Sequence, residues 1–108
     1  QRLKLASEMD KPQNDALFVF DEPSIGLHPS DIRVLLMVFD RLVRNGATVM
    51  VIEHDLDIIA NADYVIDMGP GGGEYGGRIV AAGTPQQIMA NPESITGKYL
   101  SFELSKRK

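Results

Sequence analysis

Apolar positions along this chain change their spacing in a way that separates strands from helices. Leu17, Phe18, Val19 and Phe20 stand together without polar alternation, the pattern of a short strand buried on both faces of a parallel sheet. Thr48 to Ile52 is again apolar and β-branched, and predicts a second strand of the same kind. Between them Ile32, Leu35, Leu36, Phe39, Leu42 and Val43 fall at helical spacing and describe one apolar face, while Asp31, Arg33, Asp40, Arg41 and Arg44 face water. Pro29 is tolerated in a first turn, Asp31 suits the positive end of the helix dipole, and Asn45-Gly46 supplies a left-handed stop. Strand, helix and strand together predict a right-handed βαβ unit with parallel strands.

The remaining stretches are shorter. Gln1 to Met9 carries a moderate helical pattern that starts without a capping residue, and Asp10 to Asp15 reads as the loop into the first strand. Asp55 to Ala62 predicts a short helix with Asp55 at its start and Leu56, Ile59 and Ala60 inward. Tyr64 to Met68 and Arg78 to Ala82 read as two strands flanking the glycine cluster Gly69 to Gly77. That cluster is not a phosphate-binding P-loop: it has no Gly-Lys-Ser/Thr ending and leads into a strand instead of a helix. Its glycines allow a tight turn between edge strands, which predicts a β-hairpin. Thr84-Pro85-Gln86-Gln87 has the spacing of a capping box with proline at the first helical position, so a helix is expected from Pro85 to Ala90, stopping before Asn91-Pro92. Beyond Pro92 the pattern weakens, and Ile95, Tyr99, Leu100, Phe102 and Leu104 either pack on the sheet or fray. No internal repeat or low-complexity tract is present.

Composition narrows the functional classes. At 108 residues the chain is one domain or a piece of one. It has no cysteine, which excludes a disulfide framework and a thiolate zinc site within it and suits the cytoplasm. No apolar run approaches the roughly 20 residues needed to span a bilayer, and Gln1 to Ser7 lacks the apolar core of a signal peptide. The net charge of -4 argues against a surface built to grip nucleic-acid phosphates, and Lys106, Arg107 and Lys108 read as a solvated tail.

Candidate chemistry gathers at one edge of the expected sheet. Asp21 and Glu22 follow the first strand directly, where open α/β sheets place their ligands, and Pro23 ends the strand. Glu53 and His54 follow the second strand, and parallel strands share their carboxyl ends, so topology places the four residues together. Singly, each has a bland reading: an acid after a strand is usually a polar turn, and a lone histidine there is usually structural. Together they point to a phosphate site, where an imidazole can hydrogen-bond a γ-phosphate.

The order of residues adds a resemblance. Four apolars, Asp21-Glu22, then Pro23-Ser24-Ile25-Gly26-Leu27-His28 resemble the Walker B strand and D-loop of the ATP-binding cassette ATPases, with which His54 and the Gly77 to Pro85 hairpin are also shared. Three stretches are more specific and resemble the UvrA family of bacterial nucleotide excision repair. They are Gly26-Leu27-His28, where transporters usually have Ala-Leu-Asp, Ile66 to Pro70 leading into the glycines, and Pro92-x-Ser94-x-Thr96-Gly97-x-Tyr99-Leu100. Gln1 to Ala6 resembles the helix that follows that family's signature motif, so the likeness covers nearly the whole chain.

The resemblance implies a partial ABC-ATPase fold of the P-loop NTPase type, α/β, with parallel strands, flanking helices and a terminal β-hairpin. Residues 1–108 would be the carboxyl-terminal part of one cassette, with the Walker A and signature motifs outside it. It implies ATP and Mg²⁺ as ligands, Asp21 as the magnesium residue acting through water, and Glu22 as the catalytic base. Ser24, Gly26 and His28 would belong to a loop facing the opposing cassette, and His54 would be the switch histidine. Implied partners are that opposing cassette, within one chain or in a homodimer, UvrB, and damaged DNA held by other parts of the parent protein, which would also carry its zinc. No membrane is implied, and the location is cytoplasmic. Pro23 to Gly26 resembles the first cassette of the family and Val51 to Asp57 the second, with the balance toward the second. A UvrA-like resistance protein, a transporter cassette and a module with only a structural or interaction role stay open, and this chain alone is not expected to hydrolyse ATP.

Overall fold

The computed structural model describes Pro12, residues 14–69 and residues 77–107, which form two compact units, Gln1–Asp55 and Leu56–Lys108. The helix expected over Gln1 to Met9 and most of the glycine cluster lie outside the described residues.

In the first unit β1 (Leu17–Asp21), α1 (Pro29–Arg44) and β2 (Thr48–Ile52) follow one another as expected. The two strands pair in parallel, Leu17 opposite Thr48 and Asp21 opposite Ile52, so Asp21 and the end of β2 stand at one edge. Helix α1 is capped by His28 in extended conformation with Pro29 next, carries Asp31 in its first turn and Arg41 and Arg44 in its last, and ends at Asn45. Gly46 then turns left-handed at φ 99°. Its Ile32, Phe39 and Leu42 are buried, and Leu42 and Ala47 form a core against Ala16, Phe18, Phe20, Val38 and Val49. The Phe20 and Phe39 rings meet at 5.0 Å in a tilted arrangement, which favours the ring quadrupoles. Val43, expected inward, is exposed, and Val38 takes its place in the core.

The strands differ from the sequence expectation in one respect. Within β1 and β2 burial alternates, so Phe18, Phe20, Val49 and Val51 are half-buried while Leu17, Val19, Met50 and Ile52 stay largely exposed. Side chains on a strand alternate between faces, and within the described residues of this unit α1 covers one face. The apolar run thus has the composition of a doubly covered strand, and among the described residues one of its faces is covered.

The second unit contains α2 (Leu56–Ala60), β3 (Val65–Met68), β4 (Ile79–Gly83), α3 (Pro85–Ala90) and α4 (Ile95–Lys106). β3 and β4 are antiparallel, as expected of a hairpin, with a register irregularity between Asp67 and Met68. α2, β3 and β4 are shorter than or shifted from their sequence boundaries by one or two residues, whereas α3 spans Pro85 to Ala90 as expected. In α2 the buried side chain is Ile58 and not Leu56, Ile59 or Ala60, which are half-buried. The capping box is complete: Thr84 Oγ1 accepts from the Gln87 N–H, and the Gln87 side chain accepts from the Thr84 N–H at 2.9 Å.

The stretch after Pro92 is the main element that sequence patterning missed. Ser94 caps a twelve-residue helix, its hydroxyl accepting from the Gly97 N–H at 2.8 Å. Apolar side chains are spread around this helix, which leaves only Gly97 and Leu100 buried and hides the period. Tertiary contact fixes it instead. Ser94 Oγ donates to Asp67 at 2.5 Å and Thr96 Oγ1 at 3.0 Å, while Ile88 and Leu100 fill the core below.

Candidate functional site at the carboxyl edge of the parallel strands

Strand geometry ends at Asp21. The Glu22 N–H still donates to the Ile52 carbonyl at 2.8 Å, but its backbone enters the left-handed region at φ 47°. For a residue with a Cβ that conformation costs about 1 kcal/mol or more, and such strain collects at functional sites. Asp21 is thus the last residue of β1, and Glu22 the first of the turn that follows. Two overlapping turns follow, Ile25 N–H to Glu22 carbonyl at 3.2 Å and Leu27 N–H to Ser24 carbonyl at 3.0 Å, and they deliver the chain to His28 and α1.

The register carries β2 to the same edge. There His54 Nε2 lies 3.3 Å from Glu22 Oε1, the imidazole largely in solvent and the carboxylate about one-third exposed. Asp21 is exposed beside them and has no side-chain partner among the described residues. His28 is also exposed; it caps α1 with its backbone only, its carbonyl accepting from Asp31 and Ile32, and its side chain makes no capping bond. Gly26 is at the exposed tip of the turn. Of the residues singled out from sequence, Glu22 and His54 are thus in contact, Asp21 adjoins Glu22 in sequence, and Ser24, Gly26 and His28 lie on the turn that follows.

Glu53 joins this group although its side chain had no assigned part. Its carboxylate accepts from Ser24 Oγ at 2.7 Å and the Ser24 N–H at 3.1 Å, then from the N–H groups of His54 at 3.0 Å and Asp55 at 3.3 Å. Partial burial works against its ionisation, but the Ser24 hydroxyl and the three backbone donors outweigh that and hold its pKa below the usual carboxylate range. The signal in the sequence was a glutamate directly before the histidine at a strand end, with a hydroxyl residue just past the acid pair of the other strand.

Asp21, an exposed carboxylate with no side-chain partner among the described residues, is the hard oxygen ligand at this edge that suits a divalent cation. Among the described residues no three His, Cys, Asp or Glu side chains converge as a protein-only metal cage. Magnesium does not need one, since it takes one or two carboxylates and fills its octahedron with water and phosphate oxygens.

The likeness to known proteins covers nearly the whole chain. The chain is 57% identical over 104 residues to UvrABC system protein A of Mesorhizobium japonicum, covering 96% of this chain and 11% of that protein. It is 52% identical over 107 residues to the same protein of Aquifex aeolicus, covering 98% and 12%. This chain belongs to the UvrA family. Its structure matches the crystal structure of UvrA2 from Deinococcus radiodurans with a TM-score of 0.81 at 44% identity, over 94% of this chain and 12% of that one. No protein-family model matches. The chain spans about one-eighth or less of the length of the UvrA relatives it matches. Its α/β fold, with paired parallel strands and helices, is that of the matching UvrA segment.

Proposed function

We propose that this chain supplies the magnesium- and water-handling edge of an ATPase site in a UvrA-type protein of nucleotide excision repair. The observation that carries the reading is the contact of His54 with Glu22 at the strand edge that also holds Asp21. Magnesium, when bound, neutralises charge on the β- and γ-phosphate oxygens, and the Asp21 carboxylate would hold it, through water. Glu22 accepts a proton from the attacking water as that water's oxygen bonds to the γ-phosphorus and the bond to the ADP oxygen breaks. His54 lies against the Glu22 carboxylate, where its imidazole can give a ring N–H to a γ-phosphate oxygen. Ser24, Gly26 and His28, on the exposed turn, face the opposing cassette.

In the same reading the partners are a second cassette, UvrB and damaged DNA, the last held by other parts of the parent protein together with its zinc. With a net charge of -4, this segment is not itself the DNA-gripping surface. No helix among the described residues is long and apolar enough to cross a membrane. The relatives favour a repair protein over a transporter cassette. A cytoplasmic ATPase is the outcome of this reading.

The test is Glu22→Gln in the full-length parent with its other cassette inactivated. Positioned acid–base groups contribute about 10²–10⁴-fold, so single-turnover hydrolysis should fall by that factor while ATP is still retained. Hydrolysis at the parental rate would end the assignment of Glu22 and the reading with it.

A further inference from the structure

We infer that Glu53 is a positioning residue, a clasp that locks the Pro23–His28 turn to the end of β2 and aims His54 at Glu22. The inference rests on the ATPase reading above and adds a residue to it. Glu53 touches neither Glu22 nor the His54 ring in the described contacts; it acts on backbone and on Ser24.

The geometry is that of a node. One carboxylate gathers four donors from two segments far apart in sequence: the hydroxyl and N–H of Ser24 on one side, the N–H groups of His54 and Asp55 on the other. A carboxylate has roughly four lone-pair sites, and hydrogen bonds to a charged acceptor are about twice as strong as neutral ones. The node therefore holds both segments against thermal motion more firmly than a single bond between two loops.

What it holds is the strained part of the edge. Glu22 sits left-handed at φ 47° between β1 and Ser24, and nothing in its own local sequence favours that conformation. Its N–H is tied to Ile52, and two residues later Ser24 is tied to Glu53, which follows Ile52 directly. The strained residue is thus fastened to the end of β2 from both sides. His54, next to Glu53 in the chain, has its N–H in the same node, so the ring that meets Glu22 and the turn that leaves Glu22 share one anchor. Displacing the turn, as an opposing cassette would on contact with Ser24 to His28, would pull on Glu53 and through it on His54. The clasp couples the exposed turn to the base and its histidine partner.

The experiment uses the full-length parent protein with the other cassette inactivated, and compares Glu53→Ala, Ser24→Ala, Ser24→Thr and the Glu53→Ala/Ser24→Ala double variant. The first readout needs no nucleotide. Hydrogen exchange at the Ser24, His54 and Asp55 amides should quicken about tenfold or more in Glu53→Ala, while the amides inside β1 and β2 keep their protection. The second is single-turnover hydrolysis beside ATP retention. Glu53→Ala and Ser24→Ala should each slow hydrolysis about tenfold with ATP affinity within about twofold of the parent; the double variant should be no slower than Glu53→Ala, because both break one node. Ser24→Thr, which keeps the hydroxyl, should recover most of the rate.

Parental hydrolysis in Glu53→Ala, or losses that multiply in the double variant, would overturn the clasp. If Glu53→Ala does not fold, Ser24→Ala against Ser24→Thr decides, since a rate equal in the two removes the hydroxyl bond from the mechanism. Glu22→Gln run alongside separates the failures. A parental rate there ends the ATPase reading itself, whereas an inactive Glu22→Gln with a fully active Glu53→Ala removes only the clasp.

Discussion

Ser94 donates its hydroxyl to the Asp67 carboxylate at 2.5 Å, joining the cap of α4 to the middle of β3 with both residues buried. Thr96 reaches the second oxygen of the same carboxylate at 3.0 Å, and the Gly97 N–H returns to Ser94 Oγ at 2.8 Å. A carboxylate inside a protein is tolerated when its oxygens are satisfied, and here the helix N-terminus also favours the negative charge.

Ser94→Ala is expected to lower the stability of this unit by about 1.5–3 kcal/mol, because it removes a charge-assisted bond and a cap and leaves an Asp67 oxygen in a buried site. The measurement is the urea midpoint of unfolding. Ser94→Thr should recover part of the loss, and a Ser94→Ala midpoint equal to the parent's would show that water replaces the hydroxyl at no cost.

Gly97→Ala tests the packing beside that network. A Cβ at Gly97 would lie 2.2 Å from the Ile88 carbonyl oxygen and 3.2 Å from the Met89 Cα, both backbone atoms with little freedom to move. Forced displacement of α3 from α4 should cost about 1–3 kcal/mol, although alanine is the better helix former by about 1 kcal/mol. Any gain in thermal stability would mean that the two helices separate freely.

The lowered pKa of Glu53 makes the first unit acid-sensitive in a defined direction. In an unfolded chain a glutamate titrates near about 4.3, and in the fold Glu53 titrates below that. Its stabilising contribution is complete above the unfolded value and is lost as pH falls through the folded one. Comparing Glu53→Gln with the parent by urea unfolding should show a difference that is constant from pH 7 to about pH 5 and shrinks below about pH 4. A difference that grows on acidification would reverse the sign and exclude the carboxylate as the source.

For this chain on its own, calorimetric titration with Mg-ATP should give no micromolar binding. A glycine-rich loop ending in Gly-Lys-Ser/Thr, the usual cradle for the phosphates, does not occur in the sequence. A micromolar dissociation constant would require a different phosphate site.

Local pattern was enough for β1, α1, β2, the β3–β4 hairpin and the capped helix α3, because each writes its signal into adjacent residues: an apolar run, a 3.6-residue period, or Thr-x-x-Gln. It was enough also to bring Asp21, Glu22 and His54 to one edge, since parallel pairing alone puts the strand ends together. Three things depended on the folded chain. Helix α4 has no clean apolar face and is held by tertiary contacts, Asp67 with Ser94 and Thr96 and the burial of Leu100, between segments that no window of sequence contains. The exposed faces of Leu17, Val19, Met50 and Ile52 could not be read from an unbroken apolar run, which records the composition of a strand and not what covers it. Glu53 looked like one more acid beside a histidine, and became a clasp only when the register of β1 and β2 set Ser24 within 2.7 Å of it, because a hydrogen bond is decided by tenths of an ångström that spacing along a chain does not encode.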